Sequence, residues 1–233
     1  LILFSSLSYP QLSYASPTLS NEKVMIPLNK WASQRVLSRV VGQIIEESGS
    51  PVDYIDISSN NQWGALKRGV IHFQLEVWQP SMGKTFDKLV ANSQILDLGA
   101  HQATVTEDWW YPSYVEASCP ELPNWQALNK CQLLFTGSSP ANKGIYFGGP
   151  WNYGDADIIR ALDLNFSIAR LPDEMALWQE LTNAVAATRP IILLNWSPNW
   201  TDIHIKGKFV NFPLYTKECE TTPEWGLNKN LVK

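Results

Sequence analysis

The chain has 233 residues, 45% hydrophobic and 17% charged, which excludes a disordered or fibrous polypeptide and leaves room for a sizeable core. A net charge of −4 without any Lys/Arg cluster argues against nucleic acid as the partner, and no apolar run reaches the roughly 18 to 20 residues that span a bilayer. The outlier is tryptophan, with 11 residues beside 8 Tyr and 8 Phe, since each buried indole N–H must find an acceptor.

In chain order, Leu1-Ile2-Leu3-Phe4 and the Ser/Tyr/Pro-rich stretch to Asn21 read as the end of a secretory h-region with a cleavage zone near Ala15. Residues 1–21 are therefore expected to be a signal remnant and tail, and the mature protein to be exported and periplasmic. Val24–Pro27 reads as a strand. Trp31 to Glu47 carries Val36, Val40, Val41, Ile44 and Ile45 at helical spacing, with Gly49 as its stop. Val52–Ser58 alternates as a strand, Asn61–Arg68 reads as a short helix, Val70–Trp78 as a strand, Met82–Asn92 as a helix and Ile95–Leu98 as a strand. This alternation predicts a parallel sheet with crossover helices.

Around Thr104–Tyr114 the pattern becomes a polar, aromatic connection, and a second alternating unit follows. Gly144–Gly148 predicts a strand, Asp155–Leu162 a helix, Phe166–Ala169 a strand, Asp173–Thr188 a helix with Asp173 as its N-cap, and Ile191–Trp196 a buried strand. The expectation is an α/β protein of two lobes, 22–103 and 104–205, with a ligand cleft between them. Residues 206–233 are read as a segment returning toward the first lobe, with the closing part of the domain missing beyond it.

Catalytic constellations are scarce. His72, His101 and His204 lack metal spacing, and His72, inside a strand pattern, reads as an edge or core residue. There is no GxSxG, Walker or GxGxxG element, so neither enzyme, cofactor nor metal is expected. Export permits disulfides, and Cys119 and Cys131 bracket a short Pro-bounded segment that a bridge would close, leaving Cys219 over.

The aromatic residues carry more. Trp31 follows the first strand, Trp78 ends Leu-Glu-Val-Trp, Trp109 and Trp110 lie in the connection, Trp151 follows Gly-Gly-Pro, and Trp196 ends the last strand. Ligands of α/β sheets bind beyond the carboxyl ends of strands, where two facing lobes would bring these indoles together. Converging aromatic faces form a cation–π cage, suited to a quaternary ammonium that has no N–H for a carboxylate to bond. The competing reading of each indole is a hydrophobic plug, and Trp63, Trp125, Trp178 and Trp225 are read as packing. Glu107, beside Trp109 and Trp110, would add attraction for a cation or donate, when protonated, to an amine oxide; otherwise it is a solvated loop charge.

The series Asn-Lys-Trp-Ala-Ser, Leu-Glu-Val-Trp-Gln-Pro, Tyr-Pro-Ser-Tyr-Val, Cys-Pro-Glu-Leu-Pro-Asn-Trp-Gln-Ala-Leu and Asn-Trp-Ser-Pro-Asn-Trp resembles the substrate-binding proteins of ABC-type glycine betaine/proline betaine importers. The Cys-Pro-x-Leu-Pro-x-Trp element is similar to the branch that includes trimethylamine N-oxide binders. The resemblance implies a type II periplasmic-binding-protein fold, capture of a quaternary amine in an aromatic box, and delivery to a permease driven by a separate ATPase. By motif it implies Trp31, Trp78 and Trp196 as box members, then Trp110, Trp151 and Trp109. Asn199 stands where the family element Trp-x-Pro-His-Trp has histidine, and Gly149–Gly154 is the implied place for the ligand's anionic end. Glycine betaine is the first expected ligand, captured by a monomer. Trimethylamine N-oxide, choline and dimethylsulfoniopropionate are the alternatives, as is a sensor domain fused to a permease.

Overall fold

The computed structural model describes residues 22–137, 142–151 and 154–213, and two sheets organise them. The signal remnant, Cys219 and Trp225 lie outside the described residues. The first half opens with β1 (Val24–Leu28), α1 (Ala32–Glu47) and β2 (Val52–Asp56), the strands parallel and in register from Val24 opposite Val52 to Leu28 opposite Asp56. Two further helices follow, α2 (Gln62–Lys67) and α3 (Gln79–Ala91).

Helix α1 forms where the apolar period predicts it, yet that period does not face the sheet. Val36, Val40 and Ile44 lie on the exposed side, while Gln34, Ser38 and Gly42 are buried. The cause is a buried amide cluster that α1 must meet. Gln34 Nε2 donates to Pro27 O at 2.8 Å and to Ser38 Oγ at 2.9 Å, and Gln34 Oε1 accepts from Asn29 N at 2.8 Å. Gly42 lets the helix come close, because a Cβ there would collide with the Tyr54 hydroxyl of β2.

Two expected strands of this half do not form. Residues 70–78 are hydrogen-bonded to β1 at His72, whose backbone N–H reaches Met25 O and whose Nδ1 accepts from Met25 N, both at 3.0 Å, and form no ladder with it. Beyond His72 the ladder donors are spent on a side chain: Gln74 Oε1 accepts from Leu75 N at 2.8 Å and Glu76 N at 3.2 Å. Residues 95–98 likewise turn away, with Leu96 and Leu98 exposed and Asp97 Oδ1 accepting from Gly99 N.

The second half is built on a five-stranded sheet of β3 (Thr106–Pro112), β4 (Gly144–Gly148), β5 (Phe166–Arg170), β6 (Ile192–Ser197) and β7 (Gly207–Phe209), in the order β5-β4-β6-β3-β7. Strands β4, β5 and β6 are parallel, and β3 runs antiparallel to both β6 and β7. Helices α5 (Asp155–Ala161) and α6 (Glu174–Ala186) are the crossovers, and the expected Asp173 cap accepts from Ala176 N at 2.9 Å. The short helices α4 (Ala127–Lys130) and α7 (Thr201–His204) complete the half.

The segment expected to be a connection, 104–114, therefore contains strand β3. Its interior position explains the missing alternation: Trp109, Trp110 and Tyr111 are all buried, so both faces read as aromatic. The segment from 206, read as returning to the first lobe, begins by adding the edge strand β7 to the second sheet. Beside it, Lys208 Nζ lies 2.9 Å from Glu116 Oε1, which accepts from the Tyr111 hydroxyl at 2.8 Å. Lys208 and then Tyr111 hold the Glu116 carboxyl below its ordinary range, while burial and the same carboxylate push the Tyr111 phenol up. Cys119 and Cys131 form a disulfide, as their spacing suggested.

Candidate functional site

Four indoles converge where the two halves meet. Trp31 stands at the N-cap of α1, just past β1, and Trp78 at the N-cap of α3. Trp151 follows β4, and Trp196 is the penultimate residue of β6. Three thus sit at carboxyl ends of parallel strands, where loops leave room for a ligand. The rings meet edge to face: Trp31 and Trp151 at 6.3 Å and 82°, Trp151 and Trp196 at 5.5 Å and 87°, Trp196 and Trp78 at 6.5 Å and 72°. Successive walls near right angles enclose a box. The space between them is lined by these four rings with Ser81, Met82 and Glu107. No Lys or Arg is among the described residues that line it.

Sheet register brings Glu107 here. It lies directly opposite Trp196 in the β3–β6 ladder, and opposed residues share a face with Cβ atoms about 5 Å apart. Trp109, two residues further along that face, is carried into the core. It stacks on Tyr146 at 4.0 Å and donates from Nε1 to Asp155 Oδ1 at 3.3 Å, while Asp155 is ion-paired at 2.6 Å with Arg170. Trp110 points to the opposite face and is paired with Phe209 of β7. Neither Trp109 nor Trp110 lines the cavity.

Each wall has backing. Trp151 lies across Gly149, where a Cβ would strike its ring, so only glycine allows this approach. Trp196 rests on Trp178 at 4.9 Å, and Trp178 donates to Glu174 Oε1 at 2.8 Å. Glu174 Oε2 accepts from Ala32 N at the start of α1 at 2.5 Å, so one carboxylate touches both halves. Trp31 and Trp78 both donate to Glu76 Oε2, at 2.7 and 3.0 Å. Met82 is reached from behind by Gln62 Nε2 at 3.5 Å.

Residues singled out as packing behave differently. Trp178 is the backing just described, Trp125 is half-buried against the core, and Trp63 lines an adjoining space with Ser59, Asn60 and Thr85. Asn199, in the histidine position of the family element, organises the turn after β6: its Nδ2 donates to Asn195 Oδ1 at 2.8 Å and its Oδ1 accepts from Thr201 N at 2.7 Å. Of the implied anion subsite, residues 152–153 lie outside the described residues. Glu76, Glu174, Ser81 and Met82 were not singled out in the sequence. Their roles depend on contacts with distant residues, and only the Leu-Glu-Val-Trp string offered a hint, for Glu76. Among the described residues no cluster of three His, Cys, Asp or Glu is arranged to hold a metal, and no helix is long and apolar enough to cross a membrane.

Comparison with known proteins gives this geometry a context. Residues 22–231 match the family described as the substrate binding domain of ABC-type glycine betaine transport system. The chain is 33% identical over 235 residues to the trimethylamine N-oxide-binding protein of Pelagibacter ubique, covering 97% of this chain and 73% of the relative. Among solved structures it is similar to the glycine betaine/L-proline-binding protein (ProX) of Borrelia burgdorferi, with TM-score 0.68 and 17% identity over 82% of this chain and 69% of that one. It is similar as well to lactococcal OpuAC in its closed-liganded conformation with glycine betaine, with TM-score 0.65 and 20% identity over 82% and 70%. A choline binding protein in complex with choline gives TM-score 0.68 and 14% identity over 87% and 68%. At such identities the structures establish the fold, which is the two-lobed α/β architecture of periplasmic binding proteins. Proteins of this family bind solutes and are not enzymes. The chain belongs to the family of substrate-binding domains of ABC-type glycine betaine transport systems.

Proposed function

We propose that the protein captures a small solute with a trimethylammonium head in a cage of Trp31, Trp78, Trp151 and Trp196, outside the cytoplasm, and passes it to an ABC permease. The observation that carries this reading is the run of three edge-to-face contacts that sets four indoles around one space, with no cationic side chain among the described residues that line it. Four desolvated aromatic faces at about 2 kcal/mol each approach the roughly 8 kcal/mol of micromolar capture. Glu107, which lines the same space, would add attraction for the cationic head.

Within that class, trimethylamine N-oxide is the first ligand to test, favoured by the relative at 33% identity, with glycine betaine second. One feature supports a ligand carrying an oxygen acceptor. The Nε1 of Trp151, on a ring that lines the cavity, is buried with no acceptor among the described residues. Calorimetric titration with trimethylamine N-oxide, glycine betaine, proline betaine, choline and dimethylsulfoniopropionate is the experiment. Binding of at least one methylated onium compound is expected, with the amine oxide tightest; heat from none of them overturns the reading.

A further inference from the structure

The ring of cage contacts has a gap between Trp31 and Trp78, and one carboxylate closes it. Trp31 meets Trp151, Trp151 meets Trp196, and Trp196 meets Trp78. Trp78 and Trp31 are joined through Glu76 Oε2, which accepts Nε1–H of Trp31 at 2.7 Å, Nε1–H of Trp78 at 3.0 Å and the Ser33 hydroxyl at 3.0 Å. Glu76 is not among the residues that line the cavity. It therefore acts behind the walls, on the edges of two rings whose other atoms face the ligand space.

Glu76 is itself held. Gln74 Oε1 accepts its backbone N–H, while Gln74 Nε2 donates to Asn29 Oδ1 at 2.7 Å and to Gln62 Oε1. His101 Nε2 bonds Leu75 O on the preceding residue. The carboxylate thus projects from a non-ladder segment fixed by the buried amide cluster, which explains why residues 70–78 give up a strand.

We infer that Glu76 is the positioning and charge-discriminating residue of the cage, fixing Trp31 and Trp78 by their N–H edges and setting a negative charge behind both rings. The inference rests on the proposed capture of trimethylammonium solutes. An indole has a positive N–H edge and a negative face. An anion bonded to that edge pushes electron density toward the face, and its own charge sits behind both rings, within hydrogen-bond distance of their N–H edges. The cage then recognises the positive charge of the head as well as the shape of its methyl groups. A neutral acceptor in the same place would orient the rings without supplying that preference.

The test compares pairs matched in shape. Trimethylamine N-oxide is set against tert-butyl alcohol, and choline against its uncharged carbon isostere, by competition calorimetry on wild type, Glu76→Gln and Glu76→Asp. Glu76→Gln is expected to lower the onium-to-isostere affinity ratio about tenfold, as removal of one charge held directly behind two cage rings implies. The isostere's own affinity should move by less than about threefold, and Glu76→Asp should restore part of the ratio. An unchanged ratio in Glu76→Gln overturns the inference even where overall affinity falls, since a merely structural residue would weaken both members alike.

A second readout needs neither variant nor ligand. In ligand-free wild type two indole N–H protons, assigned to Trp31 and Trp78, are expected to resonate downfield and exchange slowly with solvent. Their rapid exchange overturns the inference, and decides it if Glu76→Gln does not fold. Failure of wild type to bind any onium compound, with both protons protected, overturns the proposed function and with it the discrimination, while leaving the ring positioning established.

Discussion

The two halves of the molecule supply two cage walls each and fix them by opposite means. In the first half Trp31 and Trp78 hang from a carboxylate by charge-assisted hydrogen bonds, over a layer whose buried side chains include Asn29, Gln34, Ser38 and Gln62. In the second half Trp196 leans on Trp178, and Trp151 lies on a glycine backbone, over a core of Trp109, Tyr146, Phe166 and the apolar run of β6. A two-stranded sheet has little apolar surface on which to seat a large ring, so a directional tether does the work. The five-stranded sheet seats its rings by packing. Walls of one kind should respond to loss of a hydrogen bond, and walls of the other to loss of volume.

The largest expected effect separates these directly. Trp196→Ala should abolish measurable capture and also destabilise the fold by about 3 kcal/mol or more, because a buried, packed ring is removed. Trp78→Ala should weaken binding by about 2 kcal/mol with a much smaller loss of stability. Calorimetric titration and thermal melts on the same samples check both, and equal stability losses would erase the contrast between the halves.

Next in size is the cross-link of the second half. Replacing Cys119 and Cys131 with serine opens a short loop and should cost about 2–3 kcal/mol of stability. The ranking of ligands should not change, because the bridge lies outside the cavity lining. A reordered ligand series in the double variant would tie this element to the site.

Glu107→Gln probes the one carboxylate placed in the cavity by sheet register. A loss of about 1 kcal/mol for cationic and zwitterionic ligands alike, growing as salt is lowered, is the signature of charge attraction. A loss confined to trimethylamine N-oxide, varying with pH, would instead identify a proton donated to the oxygen. Unchanged affinity for every ligand would return the cage to aromatic faces alone.

The smallest effect is at the β3–β7 edge. Since Lys208 and Tyr111 depress the Glu116 carboxyl, its contribution is fully present above the ordinary value of 4.5 and is lost as pH falls through the lower folded value. Glu116→Gln should therefore melt below wild type at neutral pH by no more than about 1 kcal/mol and converge with it in acid. Chemical denaturation across that range measures the difference.

Legibility in the sequence follows the same division. Strands β4, β5 and β6 and helices α5 and α6 were plain, because apolar runs and a capping Asp173 report packing against one face. Strand β3 was hidden by having both faces covered, so Thr-Glu-Asp-Trp-Trp-Tyr-Pro looked like a connection. The position of Trp31, Trp151 and Trp196 at strand ends could be read, whereas Trp78 was assigned to the end of a strand that does not form, and Trp109 and Trp110 were singled out with them. What placed Trp109 and Trp110 elsewhere was register, which no local pattern revealed. In the first half the amide cluster defeated periodicity altogether. Side chains 12 to 45 positions apart exchange hydrogen bonds there, turning the polar stripe of α1 inward and breaking the pattern of residues 70–78.

The edge-to-face chain of indoles also has an optical consequence. Trp31, Trp151, Trp196, Trp78, Trp178 and Trp200 are linked by centroid separations of no more than 6.5 Å, so excitation of any one is passed rapidly among all six. Emission from this cluster belongs to the group, and is strongly depolarised. A ligand entering the box will change the colour and anisotropy of light absorbed well away from it, and substituting one tryptophan will not isolate that residue's signal.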